Sequence, residues 1–427
     1  MCTHFPAGSA GHAHRRVAAL CLLAATLAVP SFAYAASSLS LPDAVRLAVS
    51  RAPMLAARRS SLEAARQDAR RAGALPDPTL SVGVNDLPVT GSDAFNFSND
   101  NFTMTTVGVM QAFPARAKRN ARQAVADRAI DQAVAMTTAE SWAVERETAQ
   151  AWVSLWASGR ELNAVQALRD QSRLAADTAS ARLRGGSGMA TDVLAAKAAV
   201  LQLDNRLETA HSDVESARAM ARRWLGEDID AASEAPDFTR LPISASTLLA
   251  SIDRQGPLLP WSAREQVASA QVDLASAEKS SDWSVSATYG HRNRYSDFFS
   301  IELSVGLPLF PGNRQDRDVA ARRADYEATL DAHEDARRVQ RQQVESDLAK
   351  WAGLARQVER DDSHLLPLAH DRTTVALAAY RAGAALQPWL DALRDEIQIH
   401  VAHAQMSGDL GRAWASLAYL LPSETQP

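Results

Sequence analysis

Two stretches of this chain change from a strand pattern to a long helical pattern at the dipeptide Phe-Pro. In the first stretch, successive side chains from Thr103 to Met110 alternate between two sides, which predicts a strand. Proline has no N–H to donate, so Phe113-Pro114 ends the strand, and about 70 residues without proline follow. The same order returns 197 positions later, around Phe310-Pro311. This recurrence limits the chain to folds built from two similar halves.

A second pair of landmarks has the same spacing. Arg184-Gly185-Gly186 and Arg381-Ala382-Gly383 are also 197 positions apart, so we predict two long helices of equal length without a gap. Two landmarks with one spacing indicate an internal duplication. We assign residues 36–226 to the first structural repeat, 227–247 to an acidic linker, 248–422 to the second repeat and 423–427 to a polar tail.

The first 35 residues have the pattern of a signal peptide. A basic pair, Arg15-Arg16, precedes an apolar segment from Val17 to Val29, and Ala33-Tyr34-Ala35 fits a cleavage site. The alternative is an uncleaved membrane anchor, but Pro30 and the small residues favour cleavage. Both cysteines, Cys2 and Cys21, lie in this segment, so the predicted mature chain is free of cysteine.

Each repeat contains two predicted strands, at about 79–85 and 103–111 and at about 283–289 and 299–309. One face of these strands is apolar, whereas the other carries Ser, Thr, Gly and Glu302. Four strands cannot close a barrel, but three copies of the chain supply twelve. We therefore predict a mainly α fold with a membrane β-barrel portion, in which a trimer forms the barrel. Long antiparallel coiled-coil helices, each about 100 Å long, extend from it.

The turns between the long helices carry the most specific pattern. Leu183-Arg184-Gly185-Gly186 and Tyr380-Arg381-Ala382-Gly383 each precede a short loop and a hydrophobic helix start. With the strands and the duplication, these turns make the chain similar to the TolC family of trimeric outer-membrane efflux ducts. The resemblance implies a homotrimer with its barrel in outer-membrane lipid and an α-helical tunnel in the periplasm. It also implies that a periplasmic adaptor docks at Arg184, Gly186, Arg381 and Gly383. The glycines also have a structural explanation, because a helix–helix turn needs a residue with positive φ.

The family also suggests a constriction near the turns. Members often carry an aspartate six residues after the turn glycine, and Asp192 matches that position. Its counterpart in the second half is Trp389, with Asp391 two residues further on. The sequence therefore does not decide whether the trimer would carry one ring of aspartates or two. Asp192 is also explained as an acid in the first turn of a helix.

Within the family, DLPVTGSDAF followed by FTMTTVGVMQAFP is most similar to the heavy-metal branch. This resemblance implies a passive channel that works with a periplasmic adaptor and an inner-membrane RND-type pump. A duct for organic compounds or drugs, or for type I protein secretion, is the alternative. A soluble periplasmic adaptor or scaffold would have the helices but lack the strands.

Other function classes find little support in the sequence. The formal net charge is −5 and no basic cluster suggests nucleic acid. We find no motif of a hydrolase, nucleotide-binding enzyme or metalloprotease, and we expect no catalysis and no cofactor. His400 and His403, spaced i, i+3 beside Glu396, are weak candidate metal ligands, because a solvated helix face is the more usual explanation of such a pair.

Overall fold

The computed structural model describes residues 38–231 and 234–422. The predicted signal peptide with both cysteines and the predicted tail, 423–427, lie outside the described residues. Two positions of the predicted linker, 232 and 233, lie outside them as well.

The first half of the chain passes from short helices through a hairpin into a very long helix and back. Its elements are β1 (Ser38–Leu39), α1 (Leu41–Arg51), α2 (Pro53–Ala72), β2 (Thr79–Asn85), β3 (Met104–Phe113), α3 (Arg116–Arg184) and α4 (Ala190–Leu225). The side chain of Ser40 caps α1 by accepting from the Asp43 amide, and Pro53 begins α2, where its missing N–H is not needed. Gly226, at φ +76°, ends α4.

The second half follows the same plan with more interruptions. Its elements are β4 (Asp230–Ala231), α5 (Ala245–Ala250), α6 (Trp261–Ala277), β5 (Trp283–His291), β6 (Phe298–Val305), α7 (Gln315–Arg360), α8 (Leu366–Arg381) and α9 (Gln387–Ala418). In the described ranges 38–231 and 234–422, no helix is both long and apolar enough to cross a membrane.

Four antiparallel strands form one sheet in the order β2-β3-β5-β6. Its central pair joins the two halves, because β3 pairs with β5 along nine residues, from Thr105 opposite His291 to Phe113 opposite Trp283. The outer strands β2 and β6 each pair on one side within the chain. The sheet therefore leaves an open edge at each end.

The last strand is shorter than predicted. The sequence pattern extends to residue 309, whereas β6 ends at Val305. Pro308 has no N–H for a ladder, and the amide of Leu309 instead bonds the carbonyl of Leu307 at 2.9 Å. The apolar alternation nevertheless continues beyond the strand, since Leu307 and Leu309 are exposed.

The prediction of two equal helices without a gap is wrong for the second half. There, α7 spans 46 residues, a π-helical turn spans Asp361–Leu365 and α8 spans 16 residues, together two fewer than the 69 residues of α3. Pro367 explains the position of the turn, because its ring displaces the carbonyl one turn earlier. The wider π turn accommodates this local change without ending the rod.

The largest apolar core lies where the short helices pack around the middle of the long ones. Trp152 is 1% exposed there and its indole N–H donates to the Leu39 carbonyl at 2.8 Å. In the second half, Trp351 donates to the Phe238 carbonyl, also at 2.8 Å and across the same sequence separation. In both halves, a tryptophan indole on the long helix thus forms the same kind of hydrogen bond to a backbone carbonyl earlier in the chain.

Candidate functional site

The turn between α3 and α4 is a glycine-dependent helix ending. The Gly186 amide bonds the Leu183 carbonyl at 3.1 Å and the Ser187 amide bonds the Arg182 carbonyl at 3.0 Å. This pair of bonds is a Schellman motif, which needs a left-handed residue at its centre. Gly186 supplies it with φ +72°.

The turn between α8 and α9 has the same hydrogen bonds. The Gly383 amide bonds the Tyr380 carbonyl at 3.1 Å, the Ala384 amide bonds the Ala379 carbonyl at 3.0 Å, and φ of Gly383 is +106°. The four predicted docking residues therefore belong to two equivalent helix endings. We call residues 183–190 and 380–387 the two tips.

The two tips are joined to each other. The guanidinium of Arg182 lies 4.4 Å from the ring centre of Tyr380 and also donates to that residue's carbonyl. Tyr380 is 2% exposed and stacks on Trp389, at 5.4 Å between ring centres. A shared apolar core lies beneath them, made by Ala175, Ala176, Ala179, Val193, Ala196, Tyr380, Leu386, Trp389 and Leu390. The tips thus form one surface, although 197 positions separate them in sequence.

The predicted docking arginines lie on the outside of this surface. Arg184 and Arg381, like Gly186 and Gly383, are exposed. Within the part of the chain that the structure describes, neither arginine forms an ion pair. Each tip therefore presents a free cation next to a bare stretch of backbone.

The candidate constriction residues differ from each other in their surroundings. Asp192 is half-buried in the first turn of α4, where the helix dipole stabilises an acid. Asp391 accepts from the Gln387 amide group at 2.8 Å and lies 3.8 Å from Arg394. Trp389, which replaces an aspartate in the family pattern, is 3% exposed in the shared tip core. Its burial gives a structural reason for that departure.

The candidate metal ligands point to different carboxylates. His400 Nε2 is 3.9 Å from Glu396 Oε1, whereas His403 Nε2 is 3.1 Å from Asp362 Oδ1 in the π turn. Burial lowers the pKa of His400, and the imidazoles of His403 and His370 lower it further against the effect of Glu396. Among residues 38–231 and 234–422, no three His, Cys, Asp or Glu side chains are arranged to hold a metal ion.

The two faces of the sheet have opposite chemistry. One face exposes large apolar side chains, namely Leu80, Val82, Val84, Val107, Val109, Trp283, Tyr289, Phe299, Ile301, Leu303 and Val305. The other face is mostly small and polar, although Met110 and Phe298 are also exposed on it. At its centre a Cβ on Gly108 would come within 2.9 Å of the hydroxyls of Ser81 and Thr288. Such a sheet suits lipid on one side and water on the other.

An ion cluster around a buried lysine joins the sheet to the long helix. The Lys118 side chain is 7% exposed, and its ammonium lies 2.8 Å from Asp282 and 3.2 Å from Glu278. The second Asp282 oxygen accepts from the Ala115 amide at 2.8 Å, and Phe113 stacks on Trp283 at 4.2 Å. Sequence reasoning missed this cluster, although an acid immediately before β5 and a lysine just after Phe-Pro were its visible signs.

The charges of the cluster stabilise each other. Burial opposes charge on Lys118, but the hydrogen bonds with Asp282 and Glu278 outweigh it and raise the pKa of Lys118. Partial burial likewise opposes charge on Asp282, yet Lys118 and the Ala115 amide lower the pKa of that carboxyl below its usual range. Both groups are therefore charged at neutral pH.

The sequence of the first half matches a known protein family. The family model described as Outer membrane efflux protein covers residues 44–227, from α1 to the end of α4. The match spans 184 of the 427 residues, so it makes the first half similar to this outer membrane efflux family. No protein of curated function matches the sequence.

Solved structures extend the similarity to both halves of the chain. A membrane protein from Pseudomonas aeruginosa has a TM-score of 0.74 at 18% identity, covering 90% of this chain and 93% of that chain. The outer membrane protein VceC of Vibrio cholerae has a TM-score of 0.71 at 16% identity, covering 89% and 95%. CusC, described in terms of transmembrane channel formation, has a TM-score of 0.72 at 13% identity, covering 89% and 92%. The chain thus has the TolC-like fold along nearly its whole length.

Proposed function

We propose that this chain is the passive outer-membrane duct of a tripartite efflux system. One observation carries the proposal: a sheet with one apolar face and one face of mostly small, polar side chains continues directly into a helix of 69 residues. At 1.5 Å per residue that helix is about 100 Å long. Such a molecule can bridge lipid and a deep aqueous compartment.

The duct requires three copies of the chain. Four strands cannot close a sheet on themselves, and the open edges of β2 and β6 leave backbone groups without partners. In a homotrimer, β6 of one protomer would pair with β2 of the next to give twelve antiparallel strands. The apolar faces would then meet outer-membrane lipid, and the polar faces would line water.

The joined tips would be the docking surface for a periplasmic adaptor. The exposed Arg184 and Arg381 and the bare backbone at Gly186 and Gly383 support this assignment. The adaptor would link the duct to an RND-type pump in the inner membrane. Asp192, and to a lesser extent Asp391 with its own partners, would supply acidic groups near the mouth.

The proposed substrates are heavy-metal cations. This assignment rests on the similarity of residues 86–114 to the heavy-metal branch of the family. Export of organic compounds or drugs, or of proteins by type I secretion, is the competing function. The arrangement of strands and tips suits either, so the distinction has to come from phenotype.

A growth experiment tests the function and the docking surface together. A strain lacking the gene would be challenged with zinc, cadmium, cobalt, copper and silver, and with dyes, detergents and antibiotics. We expect sensitivity to metals that the wild-type gene rescues and that Arg184→Glu with Arg381→Glu does not. Arg59→Glu with Arg323→Glu changes two exposed arginines away from the tips and should rescue fully.

Three results would contradict parts of the proposal. Sensitivity to organic compounds alone would replace the metal assignment with drug export. Full rescue by the tip variant would remove the tips as the docking surface. A protein that fractionates as a soluble monomer would exclude the duct.

A further inference from the structure

We infer that Glu302 makes the proposed duct selective for cations, an assignment that rests on the trimeric duct proposed above. Glu302 is the only Asp, Glu, Lys or Arg residue in β2, β3, β5 and β6. Charged side chains are costly in membrane-spanning segments and are retained there mainly for function. A single carboxylate among four strands therefore needs an explanation.

Glu302 belongs to the polar face of the sheet. Side chains two apart on a strand share a face, and the Ser304 hydroxyl donates to Glu302 Oε1 at 3.2 Å. Across the ladder, Glu302 is directly opposite Ser286 on β5. Its chain neighbours Ile301 and Leu303 point the other way and are 71% and 64% exposed on the apolar face.

No cation of the sheet neutralises this carboxylate. The remaining positions of the polar face on β5 and β6 are Ser284, Ser286, Thr288, Gly290, Phe298, Ser300 and Ser304. The polar positions on β2 and β3 are likewise uncharged, with Ser81, Gly83, Thr106 and Gly108 in the middle. The field at this level of the barrel is therefore set by glutamate alone.

In a closed trimer, three copies of Glu302 would form a ring of negative charge at one level of the lumen. Rings of acidic side chains raise the local concentration of cations and lower that of anions. The effect depends on salt, because the Debye length is about 10 Å at 0.1 M and about 30 Å at 0.01 M. A wide lumen is thus selective at low salt and much less so at high salt.

Planar bilayers containing the purified protein provide the direct measurement. Under a KCl gradient at low salt, the wild type should show a reversal potential that indicates preference for K⁺ over Cl⁻. Glu302→Gln should shift it toward zero with little change in conductance, and Glu302→Lys should shift it further in the same direction. The double variant Glu302→Gln with Ser300→Glu moves the carboxylate two residues along the same face and should restore selectivity.

An equal reversal potential in the wild type, Glu302→Gln and Glu302→Lys would overturn the role of Glu302. Failure of the wild type to form trimers or pores in any form would instead count against the duct itself. If the periplasmic mouth of the purified protein is closed in bilayers, a cellular assay tests the same inference. In the deletion strain, Glu302→Lys should impair resistance to small cationic toxicants more than to anionic ones of similar size. Equal impairment of both would also overturn the inference.

Discussion

Gly186 and Gly383 occupy a backbone conformation that costs an ordinary L-residue about 1–2 kcal/mol. We therefore predict that Gly186→Ala loosens its tip, with amide hydrogen exchange at Ser187 about 5–30-fold faster. Gly185→Ala is the matched control. Gly185 has φ −78° and a Cβ there would meet its nearest atoms at 3.5 and 3.6 Å, an ordinary contact. Equal exchange in the two variants would refute the strain argument.

The Lys118 cluster acts between elements, because it ties the start of α3 to the residues just before β5. Replacing Lys118 with Met leaves Asp282 without its cation and Glu278 with Arg122 as its partner. We expect a loss of about 1–2 kcal/mol in the free energy of unfolding, since the ammonium is buried while both carboxylates are partly solvated. Arg122→Met, which removes a more exposed cation from Glu278, should cost less than about 0.5 kcal/mol.

The pH dependence of this difference follows from the two pKa shifts. The pKa of Asp282 is lowered in the fold, so its contribution is present above the unfolded value of about 3.9 and is lost as pH falls through the folded value. The pKa of Lys118 is raised, so its contribution persists up to about pH 10. Thermal unfolding in detergent should show a constant gap between wild type and Lys118→Met from pH 5 to 9 that narrows in acid. A gap that widens in acid would contradict these two shifts.

Strands and helices that show a periodic side-chain pattern, or that end at a proline or glycine, could be predicted from the sequence. Features that depend on contacts between distant residues could not. Phe113-Pro114 located the change from strand to helix, and the alternation around Val107 identified the strand faces. Two interruptions were missed because a pattern of side chains says little about backbone N–H groups: Pro308 shortens β6, and Pro367 follows the π turn.

The tips show the same limit. Their glycines were predictable from the sequence because positive φ has a residue preference. The contact of Arg182 with Tyr380 was not, since it joins residues 198 positions apart. The burial of Trp389 likewise depends on helices that meet only in the fold.

At the scale of the whole molecule, the duplication predicts how neighbouring protomers pair. Superposing the two hairpins by their Ser-Val dipeptides places Val82 on Val285 and Val107 on Leu303. Transferring the β3–β5 register to β6 and the next protomer's β2 then sets Val305 opposite Val84. This pair places two apolar side chains opposite each other on the lipid face.

Paired cysteines test this register. Both native cysteines precede residue 38, so engineered thiols have no competitors between 38 and 427. Val305→Cys with Val84→Cys should form covalent dimers and trimers on mild oxidation in membranes. Val305→Cys with Leu80→Cys displaces one thiol by four residues, about 13 Å, and should remain monomeric on denaturing gels. Efficient linkage of only the second pair would show that another register is used.

The contact between Arg182 and Tyr380 has a consequence for how proteins of this shape can diverge. The two helical hairpins, α3–α4 and α7–α9, contact each other at the tips, and the sheet joins the two halves at the other end. Lengthening one hairpin alone would therefore break one of these two sets of contacts. Insertions and deletions in the rods should therefore be inherited in matched pairs, one in each half of the gene. The π turn beside Pro367 is the place in the described helices where a long helix already departs from regular α geometry. Insertions or deletions that occur in only one half should therefore accumulate there first.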